Sequence, residues 1–261
     1  MIAEGPHMNV RHLLLLPALI AAVALLAPRA VLAEDAPADA ATEAKALIAQ
    51  IDAAETAKDD GAMSELMKKV PAVYKQVTDS GLKGSMMKAL GRTVRNAKFP
   101  GARKAALDAV VETGDGKEAW KTIQGGYPAD DVEDPERFNV EFVKAVGALH
   151  PDAAIDRLLE TFKKAKQLDL ASEAVLALGN YKSSKRREYI LLEITKAGKN
   201  MVPSRSASKN PSPETTARWG GVSPAIGKAL DTLTGEKVGD PLEWFKRVDE
   251  AKKNLKSLFR D

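Results

Sequence analysis

Asp130, Asp131, Glu133, Asp134 and Glu136 crowd the stretch "GGYPADDVEDPERF", residues 125–138, and form the densest set of carboxylates in the chain. Carboxylate oxygens at this density can hold calcium. The stretch lacks the spacing and central glycine of an EF-hand loop, however, which favours a solvated acidic connection between helices. His150 is the one histidine beyond residue 33, and it directly precedes Pro151. No serine elbow, zinc-type histidine pair or phosphate-cradling glycine loop accompanies it, so a turn or capping role at a helix start is the expected one. With no cysteine at all, thiolate catalysis, disulfides, cysteine metal sites and a lipidated cysteine are excluded. Asp115-Gly116-Lys117 reads as a turn. Carboxylates are numerous enough that a glycosidase-type pair stays open. No cofactor is expected.

The remaining chemistry-bearing residues are cations and tryptophans. Lys182, Lys185, Arg186 and Arg187 open a helical segment carrying Ile190 and Ile194. Positive charge there opposes the helix dipole, so the run is the candidate contact for an acidic partner or lipid headgroups, against the plainer reading of a solvated face. Aromatic interleaving for stacking nucleic-acid bases is missing beyond Tyr181 and Tyr189. Trp120 and Trp219 read as core or anchor residues, Trp219 pinning its segment to the last hairpin.

Elements that must position these residues are helical. Phe138, Phe142, Ala145 and Leu149 fall on one helix face; Ile155, Leu158, Leu159, Phe162 and Ala165 make a second stripe. Leu168, Ala171, Val175 and Leu178 make a third, and Ile190, Ile194 and Ala197 a fourth. No sustained alternating run supports a strand, so the fold class is all-α. Asp134-Pro135 and His150-Pro151 place proline at first helical positions, and Gly81, Gly91, Gly147, Gly179, Gly198 and Gly235 are expected to close helices in left-handed conformations. Short connections imply antiparallel neighbours.

The helical text also repeats itself. "KALGRTV" (88–94), "KAVGALH" (144–150), "LALGNYK" (176–182) and "KALDTLTG" (228–235) each end an apolar segment before a turn. From Gly147 to Gly179 is 32 residues, about one helix pair, whereas the 56 from Gly91 to Gly147 need an insertion. Such repeats imply stacked helical hairpins, because a single hairpin cannot bury its apolar face alone. The alternative is an irregular helical bundle.

In "ALDTLTGEKVGDPLEW", residues 229–244, a helix from Pro224 to Thr234 is expected to be closed by Gly235, with a second bend at Gly239. Asp240 then caps a new helix with Pro241 first and Glu243 in a capping-box position. Its buried stripe is Trp244, Val248, Ala251, Leu255 and Leu258. Leu230, Leu233, Thr234, Gly235, Gly239, Asp240, Pro241 and Trp244 together resemble a C-terminal hairpin of exported bacterial HEAT-repeat proteins. This chain departs from that pattern at Val238, where an aromatic is common, and at Arg247, where a second tryptophan often follows. The close match covers about fifteen residues, and a looser HEAT-like resemblance covers residues 81–259. The resemblance implies an α-solenoid that presents a surface to partners, and it implies no substrate.

Residues 12–27, "HLLLLPALIAAVALLA", follow Arg11 and lead to Val31-Leu32-Ala33 before Glu34, the pattern of a signal peptide cleaved after Ala33. The run is short for a bilayer span and is interrupted by Pro17; Glu4 fits such an n-region poorly, which makes Met8 an alternative start. Removing residues 1–33 takes away Arg11, Arg29 and Glu4, so the formal charge falls from +3 to +2, a balance that does not suggest a nucleic-acid binder. The expected organisation is a signal peptide (1–33), a flexible acidic leader (34–43), HEAT-like repeats (44–199), a Ser/Pro-rich loop (200–221) and a C-terminal hairpin (222–261). The expected function is an exported, periplasmic or secreted, non-enzymatic scaffold for a protein or peptide. The alternatives are a carboxylate enzyme acting on envelope glycans and a purely structural spacer.

Overall fold

The computed structural model describes residues 39–114, 116–203 and 211–260. The expected signal peptide and residues 34–38 of the leader lie outside them. Among the described residues there are eleven α-helices and no strand: α1 Ala40–Ala57, α2 Asp60–Gln76, α3 Ser80–Asn96, α4 Pro100–Thr113, α5 Gly116–Ile123, α6 Pro135–Leu149, α7 Ile155–Lys164, α8 Leu168–Gly179, α9 Arg187–Met201, α10 Pro213–Thr234 and α11 Pro241–Glu250. No helix among them is long and apolar enough to cross a membrane.

Short polar side chains start several of these helices. Asp59 accepts from the Ala62 N–H at 2.9 Å, Asp79 from Leu82 at 2.8 Å and Asp134 from Arg137 at 3.1 Å. Each thereby satisfies an orphan donor and adds a favourable charge at the positive end of the helix dipole. Pro100, Pro135, Pro213 and Pro241 occupy first positions, where a missing N–H is harmless.

The helices pack in two series. Along the chain α2 packs on α4, α4 on α6, α6 on α8 and α8 on α10; in the other series α1 packs on α3, α3 on α5, α7 on α9 and α9 on α11. The series are tied by sequence neighbours such as α1 with α2, α3 with α4 and α7 with α8. The main apolar core runs from Ala44 to Phe259, and Ala54, Met63, Ala97 and Ala102 form a second, small cluster.

Several expectations are corrected. Of the six glycines expected to close helices, only Gly235 does, at φ 81. Gly91, Gly147 and Gly198 lie inside helices and Gly179 is the last residue of α8, and a Cβ on any of them would strike a neighbouring helix. At Gly147 it would lie 2.8 Å from the Ala177 Cβ, and at Gly179 2.9 Å from the Ala229 carbonyl oxygen. Sequence cannot separate a capping glycine from a close-approach glycine when both precede a turn. Gly91 belongs to α3, in the odd-numbered series, while Gly147 and Gly179 belong to the even-numbered one. The interval of 56 residues therefore crosses between series, whereas the interval of 32 is one helix pair.

Substitution separates these roles by sign. Alanine favours a helix over glycine by about 1 kcal/mol, yet Gly147→Ala and Gly179→Ala are expected to lose about 1–3 kcal/mol by overpacking. Gly84, at an exposed position of α3, has nothing within 4 Å of an added Cβ, so Gly84→Ala should raise stability. Urea denaturation at neutral pH measures both signs.

Boundaries also shift. Asp39 caps α1, so helix begins inside the expected leader. Met201 still belongs to α9 and Pro213 opens α10, so residues 213–221 of the expected loop are helix; residues 204–210 lie outside the described ones. Pro224 sits within α10 rather than at its start, and Gly220, whose carbonyl the proline deprives of a helical donor, is exposed to water. The stripe beyond Val248 does not continue α11. The chain leaves helix after Glu250, makes a 3-10 turn at Leu255–Leu258, and returns its Arg260 N–H to the Thr234 carbonyl at 2.8 Å.

Candidate interaction surfaces

The C-terminal segment is organised by a residue that the sequence pattern did not single out, Asp231. One carboxylate oxygen accepts from the Val238 and Gly239 N–H groups at 3.0 Å each and from the Trp244 indole N–H at 2.7 Å. Burial opposes the charge of Asp231, but the Gly239 N–H, the Trp244 indole and the Val238 N–H outweigh it and hold its carboxyl below the usual range. Gly227 lets the Gly239 carbonyl lie directly on α10, Gly239 itself bends at φ 74, and Trp244 is fully buried. Leu230, Leu233 and Thr234 are buried beneath this loop. Asp240 accepts from the Leu242 N–H at 2.9 Å, while Glu243 turns to Arg247 at 3.3 Å. Glu236 receives Arg247 and Arg260 at 2.9 and 3.0 Å. The signal for Asp231 was present in the repeat, since it stands in "KALD" where Gly147 and Gly179 stand in "KAVG" and "LALG". Each of those glycines faces the next even-numbered helix; Asp231 faces the loop that covers α10 instead.

The four cations of the basic run are not brought together. Arg186 forms a two-pronged ion pair with Asp156 of α7, at 2.6 and 3.1 Å, and lies over the Tyr189 ring at 4.7 Å. That guanidinium lowers the Asp156 carboxyl below its ordinary range. Arg187 covers the Phe259 ring at 4.5 Å. Lys182 borders an open cleft with Lys228 and Lys237, and Lys185 is exposed. Arg186 and Arg187 therefore fasten α9 to α7 and to the C-terminal turn.

Within the acidic loop, Asp131 accepts from Arg103 at 2.8 Å, and Asp134 caps α6. Arg103 is only 1% exposed; its Nε donates to the Ala97 carbonyl at 2.6 Å and its guanidinium lies 5.5 Å from the Phe138 ring centre. The hydrogen bond from Arg103 holds the Asp131 carboxyl below its ordinary range. Among the described residues no group of three His, Asp or Glu is placed to hold a metal ion. His150 closes α6 rather than opening the next helix: it sits at φ 37 and its N–H donates to the Val146 carbonyl at 2.8 Å. Its ring meets Tyr181 edge-on at 6.2 Å. Trp219 packs against Phe245 of α11 at 6.3 Å, and Trp120 is half-buried beside Phe142.

Three further open surfaces stand out among the described residues. The even-numbered helices expose linked charges: Lys75 with Glu112 at 3.0 Å, Lys104 with Asp108 at 2.7 Å and Glu141 at 3.8 Å, and Glu141 with Lys144 at 2.9 Å. Half-buried Glu173 follows on α8, its carboxyl pushed up by burial against the pull of Lys144. Exposed pairs of this kind are worth about 0–1 kcal/mol each, so they shape the surface more than they hold the fold. A cleft of about 640 Å³ lies between α7, α9 and the start of α10, with Lys196, Asn200 and Thr215 on its walls. In it Arg218 donates to the Ala165 and Phe162 carbonyls at 2.7 and 3.1 Å, closing the end of α7. A groove of about 570 Å³ opens between α3 and α5.

No family model matches the chain, and neither a curated protein nor a solved structure matches it, so these surfaces are read from their own geometry.

Proposed function

We propose that the chain is an exported α-solenoid of HEAT-like hairpins that binds a protein or peptide partner on the faces of its stacked helices. The observation that carries this reading is the packing of helices on the next but one, unbroken from α2 to α10 in the even-numbered series and interrupted between α5 and α7 in the odd-numbered one, with the two joined by sequence neighbours. Repeat arrays are built this way, and they hold wide surfaces open to partners. Close-approach glycines one helix pair apart, Gly147 and Gly179, support the repeat, and Asp231 supports an end to it. The pattern of residues 11–33 supports export into the periplasm or beyond. Side chains that looked free for chemistry, Asp131, His150, Arg186 and Arg187, are occupied by neighbours in the chain, which favours binding over catalysis.

The test uses the chain from Glu34 onward, immobilised and exposed to envelope extract. A partner that is retained, recaptures the chain in the reciprocal experiment and protects helix surfaces from hydrogen exchange is the expected result. Hydrolysis of an envelope glycan, with no such partner, would replace this reading by an enzymatic one.

A further inference from the structure

The groove between α3 and α5 combines an open shape with an excess of positive charge. Its α3 wall runs Lys83, Gly84, Met87, Lys88, Gly91 and Arg95, and α5 supplies Glu118 and Lys121. At Gly91 the two walls touch, because an added Cβ would lie 2.8 Å from the Thr122 carbonyl oxygen. Two turns earlier, on the same stripe of α3, Gly84 meets nothing within 4 Å. The helix surface that receives α5 at one end is thus bare at the other. Met87 and Tyr74 give the bare part an apolar floor and end wall.

Charge completes the description. Lys83, Lys88, Arg95 and Lys121 line the groove against a single carboxylate, Glu118. Lys121 is paired with Glu118 at 2.6 Å, Lys83 lies 5.0 Å from the Tyr74 ring centre, and Arg95 donates to the Thr122 carbonyl at 3.0 Å. The volume of about 570 Å³ falls within the roughly 300–1,000 Å³ of ordinary ligand pockets. The occupant that fits is one with an apolar stripe and acidic flanks. A helix fits best, because the bare stripe continues a surface that already packs a helix. A bilayer surface fits less well, since the floor is recessed behind long cationic side chains.

We propose that this groove receives an acidic amphipathic helix of a partner protein. The proposal rests on the scaffold reading and names one partner chemistry and one place on it. Lysine and arginine at the rim steer the acidic flanks, and a small-residue stripe at Gly84 lets the partner backbone approach α3 closely.

The test is fluorescence anisotropy with the chain from Glu34 onward and a labelled helical peptide that has a leucine stripe and glutamate flanks. Saturable binding is expected, weakened about tenfold or more by Lys83→Glu with Lys88→Glu and by added salt. Gly84→Leu should abolish it by filling the groove while leaving the circular dichroism unchanged. Lys252→Glu with Lys253→Glu, far along the chain beyond α11, should leave it intact. The proposal falls if the glutamine version of the peptide binds as well, if no saturable binding occurs, or if the groove variants bind like the parent. It falls equally if they abolish only binding to phosphatidylglycerol vesicles or only self-association in sedimentation. A partner captured from extract and retained by the groove variants would sink this inference and leave the scaffold reading standing.

Discussion

Replacing Asp231 by alanine is expected to lower the unfolding free energy by about 2–3 kcal/mol, because it leaves the buried Trp244 indole without an acceptor, at a cost of about 1–3 kcal/mol, and removes the acceptor shared by two N–H groups nearer the solvent. Three donors converge on this carboxylate: the N–H groups of Val238 and Gly239 and the indole of fully buried Trp244. Asp231→Asn keeps one carbonyl oxygen and should lose about half as much. Trp244→Phe removes only the indole donor, so a cycle of these two substitutions should show coupling of about 1 kcal/mol. Trp244→Ala adds a cavity and should lose about 3–5 kcal/mol. The pH dependence follows from the lowered carboxyl of Asp231. A carboxyl lowered by folding adds stability above its unfolded value, about pH 4, and loses it as pH falls through the lower native value. The difference between parent and Asp231→Asn in urea denaturation should therefore be widest near neutral pH and shrink below about pH 4. A difference unchanged at low pH would show that the charge of Asp231 is not what holds the loop.

How far the sequence alone reached depended on whether a signal was local. Apolar spacing over three or four turns is a local property, and it placed the cores of α6 to α9 through Phe142, Leu158, Val175 and Ile194, all buried. Asp134-Pro135 and Asp240-Pro241 were legible starts for the same reason, since a cap and its helix are adjacent in the chain. Gly147 and Gly179 were visible as repeats but misread as caps, because what they touch, Ala177 and Ala229, lies two helices further along the chain. Composition misplaced the start of α10: Ser212 and Pro213 look like loop residues, yet they are the cap and first residue of a long helix. The basic run was legible as charge, but Asp156, 30 residues before Arg186, neutralises part of it. Arg103 gave no signal at all. In "PGARKAALDAVV" it looks like one more solvated cation, and only the fold brings Ala97, Asp131 and Phe138 around it.

That buried cation makes the second large effect. Arg103→Ala should lose about 3–4 kcal/mol, since it removes a fully packed side chain and leaves the Ala97 carbonyl at the end of α3 without its donor. Arg103→Met restores most of the volume beside Phe138 and should lose only about 1–2 kcal/mol. Arg103→Lys keeps the charge, yet it should be less stable than Arg103→Met. A compact ammonium cannot reach Ala97 and Asp131 in the forked geometry of a guanidinium, and a buried cation short of partners is worse than none. Asp131→Ala strands the arginine instead; the nearby Asp60 carboxylate tempers that loss, which is expected at about 2 kcal/mol. Once Arg103 is methionine there is no buried charge to strand, so adding Asp131→Ala should cost almost nothing more. Denaturant midpoints of the four variants and the double variant decide it. If lysine proves better tolerated than methionine, the site needs its charge more than its geometry, and the acidic loop is held to α4 by electrostatics rather than by the fork.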